Sequence, residues 1–223
     1  MRARARLTPF LPIRRARSYA FATAAAVETW GAIRAGSTSP PDSLSAQQML
    51  DCSGNSGCAG GTIPATLAYA AASGLCAARD YAYVGYQTAC RACSAVIKPG
   101  SFVHVDCCSD AALEAAVRES PVVVAICSTG QAFQSCELAP RPKAGRAQSA
   151  PALAPVRETM ALLAHKVSSS HLRVSARCSA PPCADGGGVL TGPCCTNVDH
   201  AVTIVGFGKD ATTGLKFWLA KNS

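Results

Sequence analysis

The last 26 residues, Val198 to Ser223, read VDHAVTIVGFGKDATTGLKFWLAKNS. An apolar, β-branched run from Ala201 to Val205 opens on an Asp-His pair, gives way to a turn, and resumes as a second strand from Leu215 to Ala220 before a closing Lys-Asn-Ser. Such runs bounded by Gly, Asp and Thr predict two strands joined as a hairpin. His200 opens the first strand and Asn222 follows the second.

Upstream, helical signals dominate. Ser18 to Arg34, SYAFATAAAVETWGAIR, is rich in alanine with Phe21, Ala24, Ala25, Glu28 and Ala32 at helical spacing, and Gly36 closes it. Ser45 stands three residues before Gln48 in a capping arrangement that predicts a short helix ending near Cys52. Asp51 to Gly61, DCSGNSGCAGG, holds too much Gly, Ser and Asn for regular structure and is read as a loop. Pro64 suits the first turn of a helix that stops at Gly74. Asp110 is read as the cap of a further helix that Pro121 ends, ahead of the strand VVVAI. Helices crowd the first half and strands the second, which predicts an α+β fold of two unlike lobes with the site in the cleft between them.

A chain of 223 residues that is 49% hydrophobic can bury a substantial core. Its net charge of +8 raises nucleic acid as a partner, but the charge is confined to two segments. Residues 1–17 carry six arginines and no acid; residues 139–184 carry seven Arg or Lys and only Glu158. Everything else sums to about −4, so no basic face is built into the predicted elements and nucleic acid is excluded. No apolar run reaches the roughly 20 residues a membrane span needs. The N-terminus lacks the apolar core of a secretory signal; its Arg-rich, acid-free composition resembles a transit peptide or follows from a misplaced start codon. Thirteen cysteines suit an oxidising compartment. Cys90 and Cys93 form a C-x-x-C with Cys107, Cys108 and His104 nearby, yet the second knuckle of a zinc ribbon is absent, so disulfides or free thiols are expected and no metal or cofactor.

The histidine block, together with SLSAQQMLDCSGNSGCAGG at Ser43 to Gly61, resembles the papain family of cysteine proteases. That family sets a cysteine at the N-terminus of a long helix, in a sequence like C-Y-A-F, where the helix dipole and a nearby imidazolium stabilise the thiolate. The matching residues are Ser18, Tyr19, Ala20 and Phe21, which places serine at the nucleophile's position. The resemblance implies His200 as general base, Asn222 as the amide that orients it, and Asp199 and Phe207 as flanking residues. Gly60 and Gly61 match the pair along which an extended substrate backbone lies, where a Cβ would block the approach. Ile63, Ala125 and Ala201, with Asp199, match the substrate-side residues, a small apolar pocket suited to a hydrophobic side chain next to the scissile residue. Cys52 and Cys90 match a disulfide of the family, and Cys58 is expected to be unpaired because its counterpart is missing.

Ser18 precedes His200 by 182 positions, against about 130 to 150 in the family. Leaving out the 46 residues of 139–184 shortens this to 136 and joins AFQSCEL to DGGGVLTGPCC, close to the family's F-Q-x-Y-x-x-G-V-x-x-G-P-C run. The stretch 139–184 is therefore read as a low-complexity insertion, compatible with a translated intron. The expected organisation is a basic extension over 1–17, a helical lobe over 18–102 and an antiparallel β lobe over 103–223 that contains the insertion and is incomplete at its C-terminus, where the family continues with a shielding tryptophan.

The family hydrolyses peptide bonds through a thiol acyl-enzyme, so a peptide or protein is the implied substrate and a monomer the expected state. Lysosomal, vacuolar or extracellular localisation is what the resemblance implies. Two departures bear on activity. The glutamine that helps bind the oxyanion is replaced by Pro12, and a serine alkoxide is far harder to form than a thiolate. The chain is expected to be a weak or inactive peptidase; the alternative is a non-catalytic papain-fold protein or a gene-model fragment acting as a protein-binding module.

Overall fold

The computed structural model describes residues 17–37, 42–105, 109–126, 128, 159–166, 174–176, 199–209, 214 and 216–222, with 159–166 and 174–176 described by their backbone. Four helices occur among them: α1 (Ser18–Arg34), α2 (Ala46–Cys52), α3 (Ile63–Ser73) and α4 (Asp110–Glu119). Six strands follow the order β1 (Ser101–His104), β2 (Val122–Ile126), β3 (Thr159–Lys166), β4 (Val174–Ala176), β5 (His200–Lys209) and β6 (Lys216–Lys221). The architecture is α+β.

Small side chains make α1 the helix around which the rest packs. Ala20, Ala22, Ala24 and Ala26 are buried along with Tyr19, Val27 and Trp30, so neighbouring elements approach the helix on more than one face. Its end is set by Gly36, whose φ of +61° an L side chain rarely adopts. The Ser45 Oγ accepts the Gln48 N–H at 3.0 Å and starts α2. Pro64 lies in the first turn of α3, which ends at Gly74. A side chain at Gly74 would bring its Cβ to 2.7 Å from the Ala95 Cβ and 3.0 Å from the Ile97 carbonyl oxygen, so that stop is fixed by packing as well as by backbone. The cap of α4 differs from the expectation. Ser109, with extended backbone, accepts the Ala112 N–H at 3.1 Å, and Asp110 is already the first helical residue, where its carboxylate faces the positive end of the dipole.

The strands form one sheet in the order β1-β3-β2-β5-β6-β4. Its centre, β2-β5-β6, is antiparallel as expected; the β1-β3, β3-β2 and β4-β6 pairs are parallel, so the whole is a mixed sheet. Strands β3 and β4 lie inside 139–184, which corrects the expectation that this stretch lacks regular structure: part of it pairs into the sheet at interior and edge positions. Strand β1 was not anticipated either, because SFVH is short and mostly exposed.

Period-2 alternation gives the sheet two apolar faces. Val123 and Ala201 join α1, α2 and α3 in one core, with Ala125 packed against it. Val122, Val124, Ile126, Val202, Ile204, Trp218 and Ala220 join Leu113 and Val117 of α4 in the other. Disulfides Cys52–Cys90 and Cys76–Cys93 fasten the segment after α3 to α2 and to itself. The first matches the family pairing. The second was not read from the sequence, and together they use both cysteines of the C-x-x-C, so that motif is not a metal knuckle. Cys58 is the free cysteine among the described residues.

Candidate active site

Ser18 is the first residue of α1, and its Oγ accepts the Ala201 N–H at 3.0 Å. Two residues further along β5, the Thr203 hydroxyl donates to the Ala22 carbonyl at 2.7 Å. These two bonds lay the start of α1 along the start of β5 and put Ser18 beside the residue that follows His200. Helix N-termini leave N–H groups without intrahelical partners, so Ser18 sits at the electropositive end of α1.

The His200 Nε2 lies 2.7 Å from the Asn222 Oδ1. An amide oxygen can only accept, so Nε2 carries the hydrogen and, in the neutral ring, Nδ1 is left as the basic nitrogen. Sheet register makes this contact: Thr203 pairs with Lys221 on antiparallel strands, which returns the end of β6 to the start of β5. Asp199 holds the entry to the strand, its N–H donating to the Ile126 carbonyl at 3.0 Å and its Oδ1 accepting the Ser128 N–H at 2.7 Å. Lys221, just before Asn222, reaches the Glu28 Oε2 of α1 at 3.1 Å, while the Glu28 Oε1 accepts the Leu44 N–H at 2.9 Å. In the sequence Glu28 stands out only for its helical spacing, because Lys221 is 193 positions away.

The glycine pair is required by the chain itself. Gly60 has φ +126°, open to glycine and little else. At Gly61 a Cβ would fall 2.7 Å from the Tyr19 ring and from the Asn55 Cγ. Asn55 clips the loop by accepting the Thr62 N–H at 2.9 Å, and the Tyr19 hydroxyl donates to the Gly57 carbonyl at 2.8 Å. Burial, then the neighbouring Cys58 and Asp51, pushes the Tyr19 phenol up to about 12, so it remains a neutral donor over the physiological range. Ile63 and Ala201 share the core under α1, and Ala125 faces Ala201 across the β2-β5 ladder. The structure thus brings Ser18, His200, Asn222, Asp199, Ala201 and Ala125 to one end of the sheet, with Gly60 and Gly61 joined to α1 through Tyr19. Pro12 and the cysteines at 107, 108, 194 and 195 lie outside the described residues.

Two further residues were missed. Asp51 is a four-donor hub: it accepts the Thr88 N–H at 2.7 Å, the Thr88 hydroxyl at 2.6 Å, the Tyr81 hydroxyl at 2.9 Å and the Gln47 amide at 3.0 Å. Burial pushes its carboxyl up, but those bonds outweigh it and hold the group below the usual aspartate range. Arg17, directly before Ser18, donates from Nη1 to the Tyr83 hydroxyl at 2.8 Å. Apart from Gln47, four residues before Asp51 in α2, the partners of both lie in the segment after α3, tens of residues away in sequence.

The chain matches the family described as papain family cysteine protease over residues 16–139 and 155–223, and the interruption at 140–154 falls inside the stretch read as an insertion. It is 29% identical over 209 residues to caricain of Carica papaya, covering 92% of this chain and 44% of that protein. It is 28% identical over 211 residues to germination-specific cysteine protease 1 of Arabidopsis thaliana, covering 92% of this chain and 42% of the relative. It spans less than half the length of these two relatives. Among solved structures it superimposes on the bromelain protease from Ananas comosus with a TM-score of 0.64 at 24% identity, covering 93% of this chain and 73% of that one. The fold is papain-like, and the chain belongs to the papain family of cysteine proteases, a family of peptide-bond hydrolases.

Proposed function

We propose that this chain is a papain-fold peptide-binding protein whose peptidase chemistry is largely lost at the nucleophile position. Ser18 stands where the family has its cysteine, His200 is the general base, Asn222 orients it through Nε2, and a peptide lies along Gly60 and Gly61 with a hydrophobic side chain toward Ile63, Ala125 and Ala201. The observation that carries this reading is the Ser18 Oγ accepting the Ala201 N–H beside the His200–Asn222 pair. A serine there needs its proton removed in step with attack, whereas a thiol beside imidazole is already largely ionised. The hydrogen bond to Ala201 stabilises the hydroxyl oxygen in place but takes no proton from it.

The test is cleavage of a fluorogenic peptide with a hydrophobic residue next to the scissile one. Turnover at background, unchanged in Ser18→Ala, is expected; cleavage that Ser18→Ala abolishes would overturn the reading. Ser18→Cys is expected to remain far below a functional thiol protease, because Pro12 stands where the family has its oxyanion-binding glutamine. Robust turnover by that single mutant contradicts this second expectation.

A further inference from the structure

Arg17 is half-buried and precedes Ser18 directly in the chain. Its guanidinium lies beside two turns that meet each other, the Cys58 Sγ lying 4.0 Å from the Gly85 carbonyl oxygen. One carries Cys58, in the short helical turn Gly57–Ala59 that leads into Gly60 and Gly61. The other is the turn at Gly85, where a Cβ would come within 3.7 Å of Nη1. Tyr83 fixes the group by accepting from Nη1, and the Tyr83 ring is itself set edge-on against Phe21 of α1, 5.0 Å between centroids. The guanidinium is charged at any working pH, and the hydrogen bond to Tyr83 is the first of the influences that push its pKa further up.

None of the ion pairs among the described residues includes Arg17. It is therefore an oriented cation with donors to spare, anchored by a neutral hydroxyl, one residue from the nucleophile position and next to the turn that presents the glycine pair. Guanidinium groups in this state bind carboxylates, through two parallel N–H donors where the approach allows. Tyr83 is 46% exposed, so the guanidinium is anchored at the surface, where a ligand can reach it.

We infer that Arg17 is a specificity-determining residue that selects an acidic side chain on the bound peptide, at the position on the carbonyl side of the bond facing Ser18. This rests on the proposed reading of Gly60 and Gly61 as the peptide-binding edge. A peptide extended along that edge with a carbonyl at Ser18 turns the adjoining side chain toward the Cys58 turn and the guanidinium. The ligand class is a peptide with a hydrophobic residue followed by Glu or Asp.

Binding, rather than cleavage, separates this inference from the reading beneath it. Fluorescein-labelled hexapeptides carrying a hydrophobic residue followed by Glu, Gln or Lys are titrated with the full chain, and affinity is read by fluorescence anisotropy. The Glu peptide is expected to bind about three- to fivefold more tightly than the Gln peptide at low salt, in keeping with an exposed charge pair, and the Lys peptide more weakly than either. The Glu-to-Gln ratio should fall to about one in Arg17→Gln, survive in Arg17→Lys, and shrink as salt approaches about 1 M. A ratio near one in the unaltered chain, or a preference that persists in Arg17→Gln, overturns the role of Arg17 while binding of the Gln peptide leaves the glycine edge standing. Failure of all three peptides to bind overturns both.

Discussion

The two sides of the site are held by different means. On the α2 side, a segment without regular structure from about residue 78 to 97 is fixed by side chains: Gln47 bonds the Tyr86 carbonyl and the Val84 N–H, Asp51 gathers Thr88 and Tyr81, and two disulfides close the loop. On the sheet side, β5 and β6 are fixed by a backbone ladder with apolar layers on both faces. A ladder shares its load over many equivalent bonds, whereas a loop pinned by a few polar side chains concentrates it. Single substitutions should therefore cost more at the pins than at the ladder, even though His200 and Asn222 stand on the ladder.

The largest effect is expected at Asp51. Asp51→Ala leaves Gln47, which is 1% exposed, and the Tyr81 hydroxyl each short of an acceptor. Hydrogen bonds to charged groups and the cost of stranding buried donors together suggest a loss of about 2–4 kcal/mol, read as a lower urea midpoint. A loss under about 1 kcal/mol would mean that the disulfides alone hold the segment. The same residue predicts an acid limb. Its carboxyl is depressed in the folded state, so the stability it contributes is present above about pH 4, the usual unfolded value, and is lost as pH falls through the folded value. Asp51→Ala should flatten that limb; an unchanged slope between pH 4 and 2 would refute the assignment.

An intermediate effect is expected where the two sides meet. Thr203 is fully buried and donates to the Ala22 carbonyl, so Thr203→Val keeps the shape and removes one tie between β5 and α1. A loss of about 1 kcal/mol is expected, because the Ala22 carbonyl also serves its own helix. Amide hydrogen exchange should quicken at the start of α1 more than within β6; uniform quickening would show that the sheet and α1 do not separate at this seam.

The same contrast explains what the sequence disclosed. Elements fixed by local chemistry were legible: the Ser45 cap, Pro64 and the Gly74 stop bounded α2 and α3 to within a residue, and α1 matched from Ser18 to Arg34. At α4, Ser109 and Asp110 both suit a cap, and only the extended backbone of Ser109 decides between them. His200 and Asn222 were legible because the hairpin carries both. Arg17 and Asp51 were not, since Tyr83 lies 66 residues and Thr88 37 residues from them, and the one local contact, Gln47 four residues before Asp51, does not mark a hub. The Cys76–Cys93 bridge was hidden for the reason that spacing alone does not fix connectivity. Strand β3 was missed because it is a parallel strand whose sequence, TMALLAHK, does not alternate and reads as easily for a helix.

The smallest effect separates two roles of one residue. If Ser18 serves chiefly as the clip between α1 and β5, Ser18→Ala strands the N–H of Ala201, a residue only 4% exposed, and should lower stability by about 0.5 kcal/mol. Ser18→Cys should fall between serine and alanine, because sulfur is the weaker acceptor. A residue kept for chemistry rather than for structure gives the opposite sign, since functional sites hold polar groups that the fold would be more stable without. Urea midpoints of the three forms therefore decide the matter. The order Ser, Cys, Ala from most to least stable marks a side chain retained for packing the helix on the strand, while Ala above Ser marks a nucleophile position still held at a cost to stability.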